Sequence, residues 1–410
     1  MEAPPRARRL RAMERAKVLV AGGGVAALEG ALALQALGEG TVDVELVAPN
    51  ADFAYRPLLV AEPFGGGSAR TFPLRRLAEA AGASLREATV TGVDCDAHTV
   101  STTAGDELPF DLLLLALGAV PVTAVPGTLC FRGPHDAAAL ARVVQEAAEG
   151  RVESIVFAAP PGTTWSLPVY ELALQTRAEL VDRGTTGVHV AVVTAEESPL
   201  GLFGAAASSA IAELLEARGI ELHRATAPVA FADGVLRTAP TGEIAADRAF
   251  ALPRLEGPRL AGFPSDGGGF IPVDEHCQVT GEIDVWAAGD ATAFPLKQGG
   301  IAALQADAAA EAIAARAGAE LEPQPFRPVL RGLLLTGMAP RYLRHELAGA
   351  SSTIDTEPLW WPPAKIAGRY LAPFLAAHAG ISEEPPGADR GALQIEVELA
   401  PERPGAWSSV

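Results

Sequence analysis

Cysteine is nearly missing from this chain: Cys95, Cys130 and Cys277 are the only three in 410 residues. They lie far apart and form no Cys-x-x-Cys pair, so their spacing offers neither a metal site nor a disulfide framework. Lysine is as scarce. Lys17, Lys297 and Lys365 are the three, and arginine supplies the other 29 of the 32 basic residues. A chain that has drifted to arginine keeps a lysine most readily where a compact ammonium matters. No apolar run is long enough to span a bilayer. Positive charge is short overall: the net charge of -18 disfavours non-specific nucleic-acid binding and gives no general attraction to anionic lipid. The one basic run, Arg6, Arg8, Arg9, Arg11, Arg15 and Lys17, reads as a flexible tail over 1–15. No secretory signal follows it. The expected location is therefore cytoplasmic, with peripheral contact to the inner face of the membrane open to the C-terminal region.

What is present is an alanine- and glycine-rich α/β pattern. About half of the residues are apolar (49%) and a fifth are charged (20%), and 410 residues suffice for two or three domains. The opening element reads Val18-Leu19-Val20-Ala21-Gly22-Gly23-Gly24-Val25-Ala26-Ala27: a buried strand, a glycine turn and the start of a helix. Gly22, Gly24 and Ala27 fill the three small-residue positions of G-x-G-x-x-G/A. The first permits a tight turn, and the second lets backbone approach a pyrophosphate. The third lets helix and strand pack closely, with Val25 and Ala26 at the helix start facing the phosphates. A strand before and a helix after favour dinucleotide binding over a structural turn. The helix is expected over 27–37 and a second strand over 42–47. An acid usually ends that strand and binds the adenosine ribose; here Ala48 stands in its place, which leaves Asn50 for that contact.

Residues 53–59 show no periodicity and read as a loop, either packed on the surface or carrying Arg56 to a cofactor, before a hinge-like Gly65-Gly66-Gly67. Short strands over 88–95 and 98–103 form a meander, with Val90 among the cofactor-binding positions. An apolar strand over 110–119 then ends in Ala116-Leu117-Gly118-Ala119, a second close backbone approach. A proline-punctuated linker follows at 120–133. Beyond it, helices over 137–148, 169–183 and 205–218 alternate with strands over 154–159, 187–194 and 220–225, a second Rossmann-like layer inserted in the first. Its turn, Pro160-Pro161-Gly162-Thr163-Thr164-Trp165, keeps one glycine of three. Two prolines remove backbone donors and Trp165 takes up space where a pyrophosphate would lie, so this half is expected to bind no NAD(P).

The chain then returns to the first unit. Asp284-Val285-Trp286-Ala287-Ala288-Gly289-Asp290 is a strand whose terminal Asp290 can hydrogen-bond a ribityl hydroxyl of FAD. Lys297 and Gln298 precede a helix over 299–317. An ammonium beside that helix N-terminus would stabilise a reduced flavin, the alternative for Lys297 being a solvated loop lysine. Residues 359–375 gather aromatics and two cations, with Lys365 and Tyr370 among them. That segment fits a C-terminal core, a flavin cap, a partner contact or a membrane interface. Residues 381–410 are acidic and proline-rich and are expected to be partly disordered.

The opening fingerprint, the Ala-Leu-Gly-Ala strand end and Ala-Ala-Gly-Asp before a helix occur in a fixed order. Across roughly residues 16–320 that set resembles the two-dinucleotide-binding-domain flavoproteins, the pyridine nucleotide-disulfide oxidoreductase superfamily. Val44-Glu45-Leu46-Val47-Ala48-Pro49-Asn50-Ala51-Asp52-Phe53 and Pro168-Val169-Tyr170-Glu171 look most like the branch holding sulfide:quinone oxidoreductases, flavocytochrome c sulfide dehydrogenases and type II NADH dehydrogenases. The resemblance implies an α/β fold of two Rossmann-like (three-layer ββα) domains, the second inserted in the first, plus a C-terminal α/β extension. The expected divisions are an FAD-binding domain over 16–125 and 256–320, a second domain over 126–255, and a capping or interface domain over 321–410. It also implies non-covalent FAD, a small-molecule electron donor, a quinone or other acceptor, and a proton relay through Glu171. Trp165, Lys365 and Tyr370 would shape the substrate side.

The departures narrow the chemistry. Sulfide-oxidising members place a redox cysteine six residues before that Glu, where this chain has Trp165, and no cysteine follows Cys277. Cys130 matches at most a third family cysteine, and one thiol forms no disulfide; Cys95 and Cys277 read as buried and inert. The expectation is an oxidoreductase in which FAD alone carries electrons. An NAD(P)H-dependent reductase and a flavin-bound sensor or interaction protein are the two alternatives.

Overall fold

The computed structural model describes residues 15–66, 70–240, 242–261, 263–347, 352–360 and 364–379. The arginines at 6–11, Gly67, Trp361 and the acidic segment 381–410 lie outside the described residues.

Aliphatic residues run unbroken through Val18–Ala21 and Leu112–Leu115, and all are fully buried. Strands apolar on both faces belong in the middle of a parallel sheet covered on both sides. Ala16–Ala21 accordingly pairs in parallel with Val42–Ala48 on one side and Leu112–Leu115 on the other. Helix α1 (Val25–Leu37) follows the glycine turn at once and buries Ala27, Ala31 and Leu34. Its approach to the sheet depends on Gly30, where a Cβ would lie 2.6 Å from Leu114 Cδ2.

Two stretches expected to be irregular are ordered. Asp52–Tyr55 is a strand paired antiparallel with Arg70–Pro73, and a 3₁₀ helix occupies Arg56–Phe64. Phe53 and Tyr55 alternate inward, a period-two pattern too short to stand out in sequence. In the expected linker at 120–133, Val120–Val122 pairs antiparallel with Arg254–Glu256. The two passages between the sheets thus run side by side as a ribbon, and Leu129–Cys130 already belongs to the second sheet.

That second sheet is wholly parallel, in the order Leu129–Cys130, Arg248–Ala251, Ser154–Ala159, His189–Thr194, Ile220–His223. Helix α2 (Leu167–Asp182) follows the proline turn and is buried along most of its length. The chain then rejoins the first sheet through Val285–Ala287, which pairs with Leu112–Leu115. Helix α3 (Gly299–Arg316) packs on α1 through Ala302, Ala306 and Ala309, small side chains that let two helices approach closely. The antiparallel meander Val90–Asp94, Thr99–Thr102 and Glu107–Pro109 contributes Val100 and Leu108 to a separate cluster with Leu19, Leu113 and Leu115. Helices on one face and a meander on the other give the three-layer α/β arrangement, repeated with an insertion, as the sequence implied. The extension adds an antiparallel sheet of Val329–Leu334, Arg341–Glu346 and Ser352–Asp355, then helix α4 (Leu371–Ala379). Among the described residues no helix is long and apolar enough to cross a membrane.

Candidate functional site

A cavity of about 740 Å³ is lined by residues of the first sheet and its loops, by loops and a helix of the second unit, and by the extension. That volume lies in the usual range of ligand pockets, about 300–1,000 Å³. At one end lie Gly22, Gly24, Val25 and Ala26. Gly22 has φ +143°, and a Cβ there would sit 2.1 Å from the Ala116 carbonyl oxygen, so this turn admits only glycine. A Cβ on Gly24 would meet nothing within 4 Å. Helix α1 has neither a side-chain cap nor an acidic residue in its first turn. Its first N–H groups therefore remain free for an anion in the cavity. Asn50, Arg56, Val90, Ala116 and Gly118 also line this part. Ala27 does not; it is fully buried behind the turn, where its small size sets the helix–strand spacing.

Farther along, the 3₁₀ turn Gly289–Ala291 brings Asp290 to the wall beside Lys297 and Gln298. Burial pushes the Asp290 carboxyl above the ordinary carboxylate range, opposed by the charges of Lys297 and Arg56. Lys297 is 5% exposed, which rules out a solvated loop lysine. Its ammonium donates to the Thr292 carbonyl and lies 3.9 Å from the centre of the Phe270 ring. Burial pulls its pKa down to about 8, against the opposing charges of Asp290 and Asp266. Gln298 caps α3, its Oε1 accepting the Ile301 N–H at 2.9 Å while its Nε2 donates to the Arg331 carbonyl at 3.1 Å.

The far wall brings Trp165, Glu171 and Lys365 together from separate regions of the chain. Lys365 Nζ donates to both Glu171 oxygens, at 2.6 and 2.8 Å, and the Leu335 N–H donates to Oε1 at 2.8 Å. The two side chains are 7% and 1% exposed. Burial pushes the Glu171 carboxyl up, and the Lys365 ammonium opposes that shift. Trp165 stands edge-on to Phe203, ring centres 5.9 Å apart. Arg331, Gly332 and Leu333 complete this wall; nothing periodic in the sequence marked them.

Tyr370 does not reach the cavity, contrary to expectation. Its N–H and that of Leu371 donate to the buried Glu29 carboxylate at 2.8 and 2.7 Å, and its ring lies beside the Arg369 guanidinium. Glu29 draws the chain toward α1: Gly368 packs so closely that a Cβ there would lie 2.4 Å from Glu29 Oε2. Ile366 lines the cavity in this segment. Glu29, a lone charge within an alanine-rich helix, was the available signal for that anchor.

The second sheet has its own crevice position, and the chain's own groups occupy its polar site. Glu196 lies just beyond His189–Thr194, where an acid would meet the ribose of a second nucleotide. Its carboxylate instead accepts from the Tyr170 hydroxyl at 2.5 Å, Ser166 at 2.8 Å and Thr194 at 3.1 Å. The three cysteines are unpaired. Burial pushes Cys95 and Cys277 up to about 12 and raises Cys130, so none is an activated thiolate. Among the described residues no cluster of side chains is suited to a metal ion.

Residues 171–314 match the family model described as pyridine nucleotide-disulphide oxidoreductase. Among solved structures the chain is similar to the sulfide:quinone oxidoreductase of the hyperthermophilic bacterium Aquifex aeolicus, with a TM-score of 0.76 and 21% identity over 83% of this chain and 87% of that one. It is also similar to the ferredoxin reductase for the CYP199A2 system of Rhodopseudomonas palustris, with a TM-score of 0.64 and 18% identity over 82% and 84% of the two chains. The putidaredoxin reductase–putidaredoxin complex gives a TM-score of 0.62 and 20% identity over 82% of each chain. At such identities the neighbours speak for the fold. The family match over residues 171–314 and these folds agree with the resemblance read from the sequence.

Proposed function

Taking a pyridine nucleotide-disulphide oxidoreductase fold as the premise, we propose that the protein is an FAD-dependent oxidoreductase without a redox disulfide. It passes electrons from a small-molecule donor to a quinone or another acceptor. The observation that carries this reading is one cavity running from the free N–H groups of α1, past Asp290 and Lys297, to the Glu171–Lys365 pair. These residues fit the dinucleotide: the uncapped helix end and Gly24 suit a pyrophosphate, Asn50 a ribose hydroxyl, and Asp290 a ribityl hydroxyl. Bound FAD would supply the electron-carrying chemistry.

The chain's own residues do the rest. Arg56 and Lys297 set positive charge against Asp290, and Lys297 is placed to balance negative charge arriving in the cavity. Glu171 and Lys365 hold an exchangeable proton on the substrate side, while Trp165 excludes water there. A quinone acceptor, as in the name of the Aquifex aeolicus neighbour, would bring the protein to the inner face of the membrane through its C-terminal region. The occupied Glu196 site favours this reading over direct reduction by NAD(P)H.

The test is reconstitution with FAD, then anaerobic stopped-flow absorbance with sulfide, NADH, NADPH, thiols and quinols. Retained FAD that bleaches with a donor other than NAD(P)H or sulfide is the expected result. Rapid bleaching by NADH or NADPH supports the reductase reading, and inertness to every donor supports a sensor. Failure to hold FAD refutes all three.

A further inference from the structure

The turn that carries Asp290 is held from behind by a side chain that does not itself line the cavity. Gln305 sits in the second turn of α3, 1% exposed, on the helix face that otherwise buries alanines. Its Oε1 accepts the Gly289 N–H at 2.9 Å, and its Nε2 donates to Thr292 Oγ1 at 3.2 Å. The fully buried Thr292 hydroxyl in turn donates to the Gly289 carbonyl at 3.0 Å. This closed ring satisfies every member in only one orientation of the carboxamide. An aliphatic side chain would fill the same space but leave the Gly289 amide buried without an acceptor and take from the Thr292 hydroxyl the donor to its oxygen.

The ring has two outputs. Gly289 adopts φ +77°, and a Cβ there would lie 3.0 Å from Ala26 Cβ and 3.3 Å from Ala302 Cβ, so the turn is wedged between α1 and α3 with Asp290 facing the cavity. The Thr292 carbonyl, fixed by the same ring, receives the Lys297 ammonium. We infer that Gln305, acting with Thr292, is a positioning residue that sets both the Asp290 carboxylate and the Lys297 ammonium toward the flavin. The inference rests on the FAD reading above and adds the device that tunes it.

The experiment compares full-length wild type with Gln305→Leu in three measurements: FAD affinity, flavin midpoint potential against pH, and melting of the FAD-free protein. Gln305→Leu should weaken FAD by about tenfold or more, the scale of one or two lost buried hydrogen bonds. It should also make the midpoint potential more negative and change its dependence on pH, because the Lys297 ammonium is held by the Thr292 carbonyl. Thr292→Val should reproduce these changes, and Thr292→Ser, which keeps the hydroxyl, should restore affinity and potential. Ile313→Ala, farther along the same helix, should lower the melting temperature and leave the potential alone.

Wild-type affinity and potential in Gln305→Leu would overturn the inference, as would a Thr292→Ser variant as impaired as Thr292→Val. If Gln305→Leu does not fold, the Thr292 pair decides alone. A wild-type protein that holds no FAD sinks the proposed function before any variant is made.

Discussion

Removing the Lys365 ammonium should loosen the joint between α2 and the C-terminal extension. In Lys365→Met the Glu171 carboxylate stays buried and keeps the Leu335 N–H, but loses contacts at 2.6 and 2.8 Å. Stripping one partner from a buried ion pair costs about 3–5 kcal/mol, because the remaining charge has no compensation. At about 1.4 kcal/mol per decade, local opening becomes about two to three and a half decades more frequent. Hydrogen exchange at the Leu335 amide reads that opening directly, since the amide is bonded to Glu171. The double variant Glu171→Gln/Lys365→Met keeps an acceptor for Leu335 and buries no charge. It should therefore exchange within about tenfold of wild type, although the single effects would sum to far more. The pH dependence has a definite sign. Without its ammonium, Glu171 has a folded pKa raised still further above its unfolded value. The loss in Lys365→Met, taken as a ratio to wild type at each pH, should be largest above that folded pKa and fade as pH falls toward the ordinary carboxylate range. Acceleration below about tenfold in Lys365→Met, or a double variant equal to the sum of the singles, would refute the reasoning.

Gly24→Val should fold with unchanged melting, because its Cβ has 4 Å of open space and its φ of −98° suits any residue. It should nonetheless weaken FAD by about fivefold to a hundredfold, the effect of about 1–3 kcal/mol of crowding, measured by flavin fluorescence. The FAD-free protein should gain stability as pH rises from about 8 toward 10.5, because the buried Lys297 sheds its proton in that window before the unfolded chain does. Lys297→Met should abolish this part of the slope in urea midpoints taken across the window. Asp307 is pushed well above the carboxylate range by burial and by neighbouring Glu29, a shift that removes stability as pH rises. Asp307→Asn should therefore raise the urea midpoint at neutral and alkaline pH and give no gain in acid.

Backbone-local signals were the legible ones. The turn at Gly22–Ala27 and the strand end at Ala288–Asp290 announce themselves because tight turns restrict residue type over a few adjacent positions. Long-range partnerships have no such trace. Glu29 reaches its amide partner across 341 positions, and Lys365 reaches Glu171 across 194. The scarcity of lysine pointed to one member of the second pair and a family phrase to the other, yet neither signal says that the two side chains meet. The run around Tyr370 showed aromatics and cations but not the direction in which Gly368 turns the chain, so Tyr370 was expected on the wrong side of the wall. Gln305 was hidden for a different reason. Gln305 stands with Asp307 and Glu311 in an alanine-rich helix, and nothing distinguishes it from a solvent-facing residue until the neighbouring turn is in place.

The ribbon of Val120–Val122 and Arg254–Glu256 has a consequence for how such a molecule can be assembled and altered. It places the departure and return of the inserted sheet next to each other, with Val122 opposite Arg254. A host whose broken ends are already hydrogen-bonded loses little closure entropy on accepting or giving up what lies between them. The inserted unit is in that sense a cassette. Its turn can carry Pro160-Pro161, and Glu196 can be bonded to Tyr170 within the unit, without disturbing the register of the sheet that begins at Ala16. A short hairpin joining Val122 to Arg254 should leave that first sheet continuous, a reduced scaffold on which the fingerprint could be studied by itself.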